Sequence, residues 1–99
     1  MSNRLNGKVA VITGGAKGIG LSIAEKFHDE GCKIIICDIL SSEANKVAKN
    51  LKGKSFELDV SDSKQVLDVF NDINDLYNKI DILVNNAGIN GFENRPDII

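Results

Sequence analysis

Residues 13–20 of this 99-residue chain, TGGAKGIG, join an apolar, β-branched run to an amphipathic stretch. No other segment restricts the fold as much. Residues 8–13 read KVAVIT between Gly7 and Gly14-Gly15, the pattern of a buried strand. Residues 18–30 then carry Ile19, Ile23 and Phe27 at four-residue spacing, with Ala24 beside them. That is one face of a helix, and Gly31 stands at the usual glycine stop. A strand that turns through glycines straight into a helix offers free N–H groups and partial positive charge to a phosphate. The glycines have separate tasks there. Gly14 permits the sharp turn, Gly18 lets a pyrophosphate approach the backbone, and Gly20 lets the helix pack close to the sheet.

The same alternation continues along the chain. Residues 33–38, KIIICD, form a second apolar run. Ser41 and Ser42 offer N-caps for a helix to about Leu51, with Ala44, Val47, Ala48 and Leu51 on one side. Gly53 breaks the chain, and residues 55–60, SFELDV, predict a third strand. Ser61 or Asp62 caps the next helix, and Asp62 with Gln65 has capping-box spacing. Val66, Val69, Phe70, Ile73, Leu76 and Tyr77 recur at helical spacing within it. Residues 80–84, within KIDILV, predict a fourth strand that ends at residues 85–88. The order is βαβαβαβ, with no internal repeat and no linker, and residues 90–99 show no clear period. Strands that read as unbroken apolar runs belong to parallel sheets covered on both faces, and right-handed crossovers prune the topologies.

Composition excludes several classes. Hydrophobic residues make up 42% and charged residues 26%, with a formal charge of −2 and no basic block. This is an ordinary globular balance, with no electrostatic footprint for nucleic acid or for an anionic membrane. No apolar run approaches the roughly 20 residues of a membrane span. Residues 1–6 are polar and lack the apolar segment of a secretory signal, so a cytoplasmic location is expected. Cys32 and Cys37 lie an odd number of positions apart near one strand, which points them to opposite faces. Both are expected to be reduced. Asp62, Asp68, Asp72 and Asp75 scatter over a polar helix face, so no metal site is expected, and His28 is given no catalytic role.

Three motifs then coincide. The spacing G-x-x-x-G-x-G after Thr13 resembles the signature of short-chain dehydrogenases/reductases. It differs from the G-x-G-x-x-G of other dinucleotide binders and from the T-G-x-x-G-x-x-G of the family's extended branch. Asn85-Asn86-Ala87-Gly88 matches the family's N-N-A-G segment residue for residue, and Asp59-Val60 resembles its Asp-Val pair. The resemblance implies an α/β fold, a Rossmann-type doubly wound parallel sheet, truncated, with strand order 3-2-1-4. Residues 1–99 would be the NAD(P)-binding N-terminal half of an oxidoreductase. Such an enzyme passes hydride between NAD(P) and an alcohol or ketone.

The resemblance also implies site residues. Gly14, Ala16, Lys17, Gly18, Ile19 and Gly20 form the turn under the cofactor. Asp38 ends the second strand at roughly the 20-residue distance at which an acid meets the adenosine ribose. Its charge repels a 2′-phosphate, which favours NAD over NADP. Lys17 points the other way, since NADP-preferring relatives often carry a base there, but the Asp38 charge would stand directly against the phosphate. Ile39 would lie against the adenine. Asp59 would accept from the adenine amino group while the Val60 amide meets the ring. Asn85 would tie strands together, Asn86 would face the cofactor, and Ala87 and Gly88 would leave room for its ribose and nicotinamide.

One family feature is missing. Members carry a catalytic Tyr-x-x-x-Lys, preceded by a serine and, earlier still, an asparagine. The single tyrosine here is Tyr77, followed four positions on by Asp81, and it reads as packing on a helix. No catalytic residue is assigned. The chain is therefore expected to be a fragment, inactive by itself, of a parent expected to be a homo-oligomer. The alternative is a non-catalytic dinucleotide-binding module or an inactive fragment. The fourth strand is expected to be an open edge beside an uncovered sheet face, surfaces that invite aggregation.

Overall fold

The computed structural model describes residues 4–87. Its elements run β1 (Val9–Thr13), α1 (Gly18–Asp29), β2 (Lys33–Asp38), α2 (Ser41–Asn50), β3 (Lys54–Glu57), α3 (Ser63–Tyr77) and β4 (Ile82–Asn85). The four strands form one sheet in the order β3-β2-β1-β4, and every pairing is parallel. This is the expected architecture.

The two faces of the sheet bury separate cores, as period-two alternation requires. Ala10, Ile12, Ile34 and Ile36 pack with Ala24 of α1 and with Ala44, Val47 and Ala48 of α2. Val9, Val11, Ile35 and Cys37 pack with Leu58 and with Val69 and Ile73 of α3. Cys32 joins the first cluster and Cys37 the second, and both thiols are free. All five residues of β1 are buried, whereas no residue of β3 or β4 is more than half-buried, and only β4 alternates between half-buried and exposed positions. β4 pairs with β1 alone among the described residues, and Leu83 on it is 51% exposed.

Three local expectations need correction. The third strand stops at Glu57, so Asp59 and Val60 stand beyond it. The reason is pairing: Glu57 matches Asp38, the last residue of β2, and past that point the neighbouring chain turns away into α2. The fourth strand begins at Ile82 and runs through Asn85, because the Asp81 carboxylate already takes the Val9 N–H at the ladder's start. Ser41 and Ser42 do not cap α2. Leu40 is its N-cap, without a side-chain cap, and Asp38 Oδ1 accepts the Leu40 N–H in an Asx-type turn.

The cap of α3 is half as expected. Asp62 accepts the Gln65 N–H at 3.1 Å, but Gln65 does not reach back to Asp62. Its Oε1 takes the Asp59 N–H instead, which holds the segment between β3 and α3. Among the described residues, no helix is long and apolar enough to cross a membrane.

Candidate functional site

The C-terminal ends of four parallel strands meet on one side of the sheet. The glycine turn leaves β1 there. Gly14 has φ +68° and donates its N–H to the Cys37 carbonyl at 2.7 Å, so the turn stays attached to β2. A Cβ on Gly14 would stand 2.9 Å from both Ala87 Cα and Asn86 Nδ2. A Cβ on Gly20 would overlap the Gly14 carbonyl oxygen and lie 2.6 Å from Asn86 Nδ2. The close packing at Gly20 is therefore against the turn and the end of β4, rather than against the body of the sheet. Gly18 differs: its φ is +63°, and nothing lies within 4 Å of its would-be Cβ.

Lys17, Gly18 and Ile19 are exposed at the start of α1, Ile19 to 67%. The helix has no side-chain cap and no acid in its first turn. Its N-terminal N–H groups and positive dipole end are thus unopposed by any anionic side chain of its own.

Ala16 is 4% exposed, and its N–H donates to Asp38 Oδ2 at 3.0 Å. That amide is committed inside the protein. Asp38 is itself 8% exposed, and its other oxygen accepts the Leu40 N–H at 2.9 Å. Burial, and then the Asp38 charge, push the neighbouring Cys37 thiol up to about 12, so it stays neutral beneath the site.

A cleft of about 210 Å³ opens between these ends, lined by Gly14, Asp38, Ile39, Leu58, Asp59, Val60 and Ala87. It unites residues from all four strand ends. Ile39 and Val60 present apolar side chains to it that remain 59% and 38% exposed. Asp59 Oδ1 accepts from the Ser61 hydroxyl at 2.7 Å and from the Ser61 N–H at 3.0 Å. The hydroxyl, and then the amide, hold this carboxyl below the usual carboxylate range. Lys17 and Ile19 do not line the cleft. Leu58, which the sequence reading passed over, supplies a buried wall. The alternation in SFELDV carried that signal.

Both asparagines tie the end of β4 to its surroundings: Asn85 pairs with Thr13 of β1, as expected, and Asn86 reaches the glycine turn. The Asn86 side chain is directed at the turn: its Nδ2 donates to the Gly14 carbonyl at 3.0 Å, and the residue is 7% exposed. It ties β4 to the turn, while Asn85 is exposed and approaches Thr13 Oγ1 through Oδ1 at 3.4 Å. Thr13, absent from the predicted site, is the hub of this junction. Its hydroxyl accepts the N–H groups of Asn86 and Ala87 at 3.0 and 3.1 Å and donates to the Val84 carbonyl at 3.2 Å. Gly88 lies outside the described residues. A second, apolar hollow of about 200 Å³ lies between α3 and β4, lined by Thr13, Leu58, Val60, Val66, Phe70, Leu83 and Asn85.

Residues 8–98 match the family described as short chain dehydrogenase. Tropinone reductase-like 2 of Erythroxylum coca is 44% identical over 88 residues, which cover 87% of this chain and 32% of that protein. Galactitol 2-dehydrogenase of Agrobacterium fabrum is 47% identical over 88 residues, covering 87% of this chain and 34% of that protein. A crystal structure described as ribose-5-phosphate isomerase from Brucella melitensis 16M superposes with a TM-score of 0.85 at 36% identity. That match covers 89% of this chain and 34% of the other. The chain thus spans about a third of the length of the curated relatives it matches.

Proposed function

The chain belongs to the short chain dehydrogenase family, and from that premise we propose that it holds a nicotinamide dinucleotide across the strand ends and serves hydride transfer with an alcohol or ketone. One observation carries the reading. A buried acid, two exposed apolar walls and an uncapped helix N-terminus border the same end of the sheet. Open α/β sheets bind ligands at such a switch point.

The residues present fit the group. A carboxylate has about four lone-pair sites, so Asp38 can accept from ribose hydroxyls while still holding Ala16 and Leu40. Ile39 and Val60 are the exposed apolar side chains of the cleft against which an adenine would pack. Ser61 engages Oδ1 of Asp59, which leaves Oδ2 for the adenine amino group. The open space over Gly18 and the first turn of α1 suit a pyrophosphate, with Lys17 adding charge beside it. Ala87 keeps the exit of β4 small. When bound, the dinucleotide supplies the hydride chemistry, and the protein supplies position and electrostatics.

The Asp38 charge favours NAD over NADP, because a 2′-phosphate would meet a carboxylate. Calorimetric titration of the intact protein should give NAD an affinity at least about tenfold above NADP, the equivalent of roughly 1.4 kcal/mol. Equal affinities, or tighter NADP binding, would overturn the preference. No binding of either would overturn the function. A second reading, binding without turnover by these 99 residues alone, is favoured by Tyr77. This single tyrosine is the last residue of α3 and packs against the core. The isolated chain should bind NAD and reduce none.

A further inference from the structure

Asp38 makes contacts that recognition of a ribose does not require. Its Oδ2 holds the N–H of Ala16, in the middle of the glycine turn, and its Oδ1 holds the N–H of Leu40, where the chain enters α2. Both bonds have the ordinary length of an N–H···O bond, 3.0 and 2.9 Å, and the residue is 8% exposed at the edge of the cleft.

The turn needs such an anchor. Between Thr13 and the first residue of α1 stand Gly14, Gly15, Ala16 and Lys17, followed by Gly18. Gly14 and Gly18 both have positive φ. Glycines lose the most conformational freedom on ordering, so a phosphate turn made of them is costly to hold in one shape. Lys17, at the N-cap, is exposed and provides no side-chain cap. Ala16 is the last buried residue before that helix, and its N–H has Asp38 as its partner. Without the carboxylate that buried N–H loses its acceptor, and the segment must move toward water to find another.

We propose that Asp38 is a positioning residue for the phosphate turn as well as a ribose acceptor. One carboxylate fixes the Ala16 amide and the Leu40 amide together, so the turn and the adenine-side wall that begins at Ile39 are set in place before a ligand arrives. This rests on the dinucleotide reading of the cleft for its functional consequence. It follows that cofactor preference cannot be altered at position 38 without also loosening the turn.

Asp38→Asn and Asp38→Ala in the intact protein test this. Asn retains one acceptor oxygen and turns an NH₂ toward the other amide, and Ala retains neither acceptor. Amide hydrogen exchange of the ligand-free protein should accelerate about tenfold or more at Ala16, at Leu40 or at both, the scale of losing one charge-assisted bond. Affinity for nicotinamide mononucleotide, which carries a phosphate but no adenosine, should fall several-fold in calorimetry. A pure ribose contact leaves both measurements unchanged and overturns the proposal. A rise in exchange spread evenly over the sheet, with unchanged mononucleotide affinity, marks a merely structural residue and also overturns it. If Asp38→Ala does not fold, Asp38→Asn decides. If the unsubstituted protein binds neither NAD nor the mononucleotide, the dinucleotide reading fails, while the exchange measurement still decides whether the clamp exists.

Discussion

The hydroxyl of Thr13 accepts the backbone N–H of Asn86 at 3.0 Å, joining positions 73 apart in the sequence. The same oxygen accepts the Ala87 N–H and donates to the Val84 carbonyl. A hydroxyl has one donor and two acceptor sites, and all are in use. The bond network sits where β1 and β4 lie side by side and the winding of the sheet reverses direction. It therefore fixes the floor of the cleft from both strands at once.

Thr13→Val keeps the shape but removes the acceptor of two partly buried N–H groups. A loss of about 2–4 kcal/mol is expected, since two donors are orphaned and each costs roughly 1–3 kcal/mol. Thr13→Ser should restore most of it. Urea titration of the three proteins checks the order, and a fully stable valine variant would show that the hydroxyl is dispensable.

Gly20→Ala should be far worse than Gly18→Ala. The first places a methyl group into the Gly14 carbonyl, a backbone atom that cannot rotate away, at a cost of about 3 kcal/mol. The second meets no atom and is opposed only by its positive φ, a cost of about 1–2 kcal/mol. Denaturation midpoints that reversed this order would contradict the close contact of α1 with the turn.

Asp81 links stability to acid. Its Oδ2 accepts the Val9 N–H at 2.8 Å and lies 3.1 Å from Lys79 Nζ. The Val9 amide, and then the Lys79 ammonium, hold this carboxyl below the usual carboxylate range. A folded pKa below the unfolded value near 4 stabilises the protein above that value, and the gain is lost as pH falls through the folded pKa. Asp81→Asn should therefore be less stable than the parent sequence at pH 7, with the gap closing in acid. Asp59, lowered as well, is common to both proteins and cancels. A gap that stays constant from neutral to acidic pH would rule out this origin.

Cys37 should resist alkylation. It is 1% exposed, and its thiol is pushed up to about 12, first by burial and then by Asp38. At pH 8 iodoacetamide should leave Cys37 unmodified in the folded protein and label both cysteines in denaturant, as read by mass spectrometry. The raised pKa also means stability is full below the unfolded thiol value near 8.5 and declines as pH rises toward the folded one. Labelling at native rates equal to those in denaturant would place the thiol outside the core.

Leu83 is half exposed on β4 beside the apolar hollow under α3, so self-association through this surface is tested there. Charged side chains protect sheet edges. Leu83→Lys should lower the apparent mass of the 99-residue chain at high concentration in light scattering, or leave a chain that was already monomeric. A higher mass than the unsubstituted chain would contradict the role of this surface.

The architecture was legible because local patterns announce it. Glycines mark the turn from β1 into α1 and the ends of α1 and α2, and the runs VAVI and IIIC are apolar without interruption because β1 and β2 are covered on both faces. The cap at Asp62 was legible for the same reason: its acceptor and the Gln65 N–H are three residues apart. The turn, Asp38, Ile39, Asp59 and Val60 could be named from type and spacing. What the side chains do there could not. That Asp38 spends its oxygens on Ala16 and Leu40, that Asn86 reaches Gly14 rather than solvent, and that β3 ends at Glu57 all depend on which strand ends become neighbours. Sequence by itself determined the elements, their order and the positions that meet at the strand ends. Tertiary structure alone decided which polar groups there are committed and which stay available, because each buried donor must find an acceptor across the sheet, and those partners are distant in the chain.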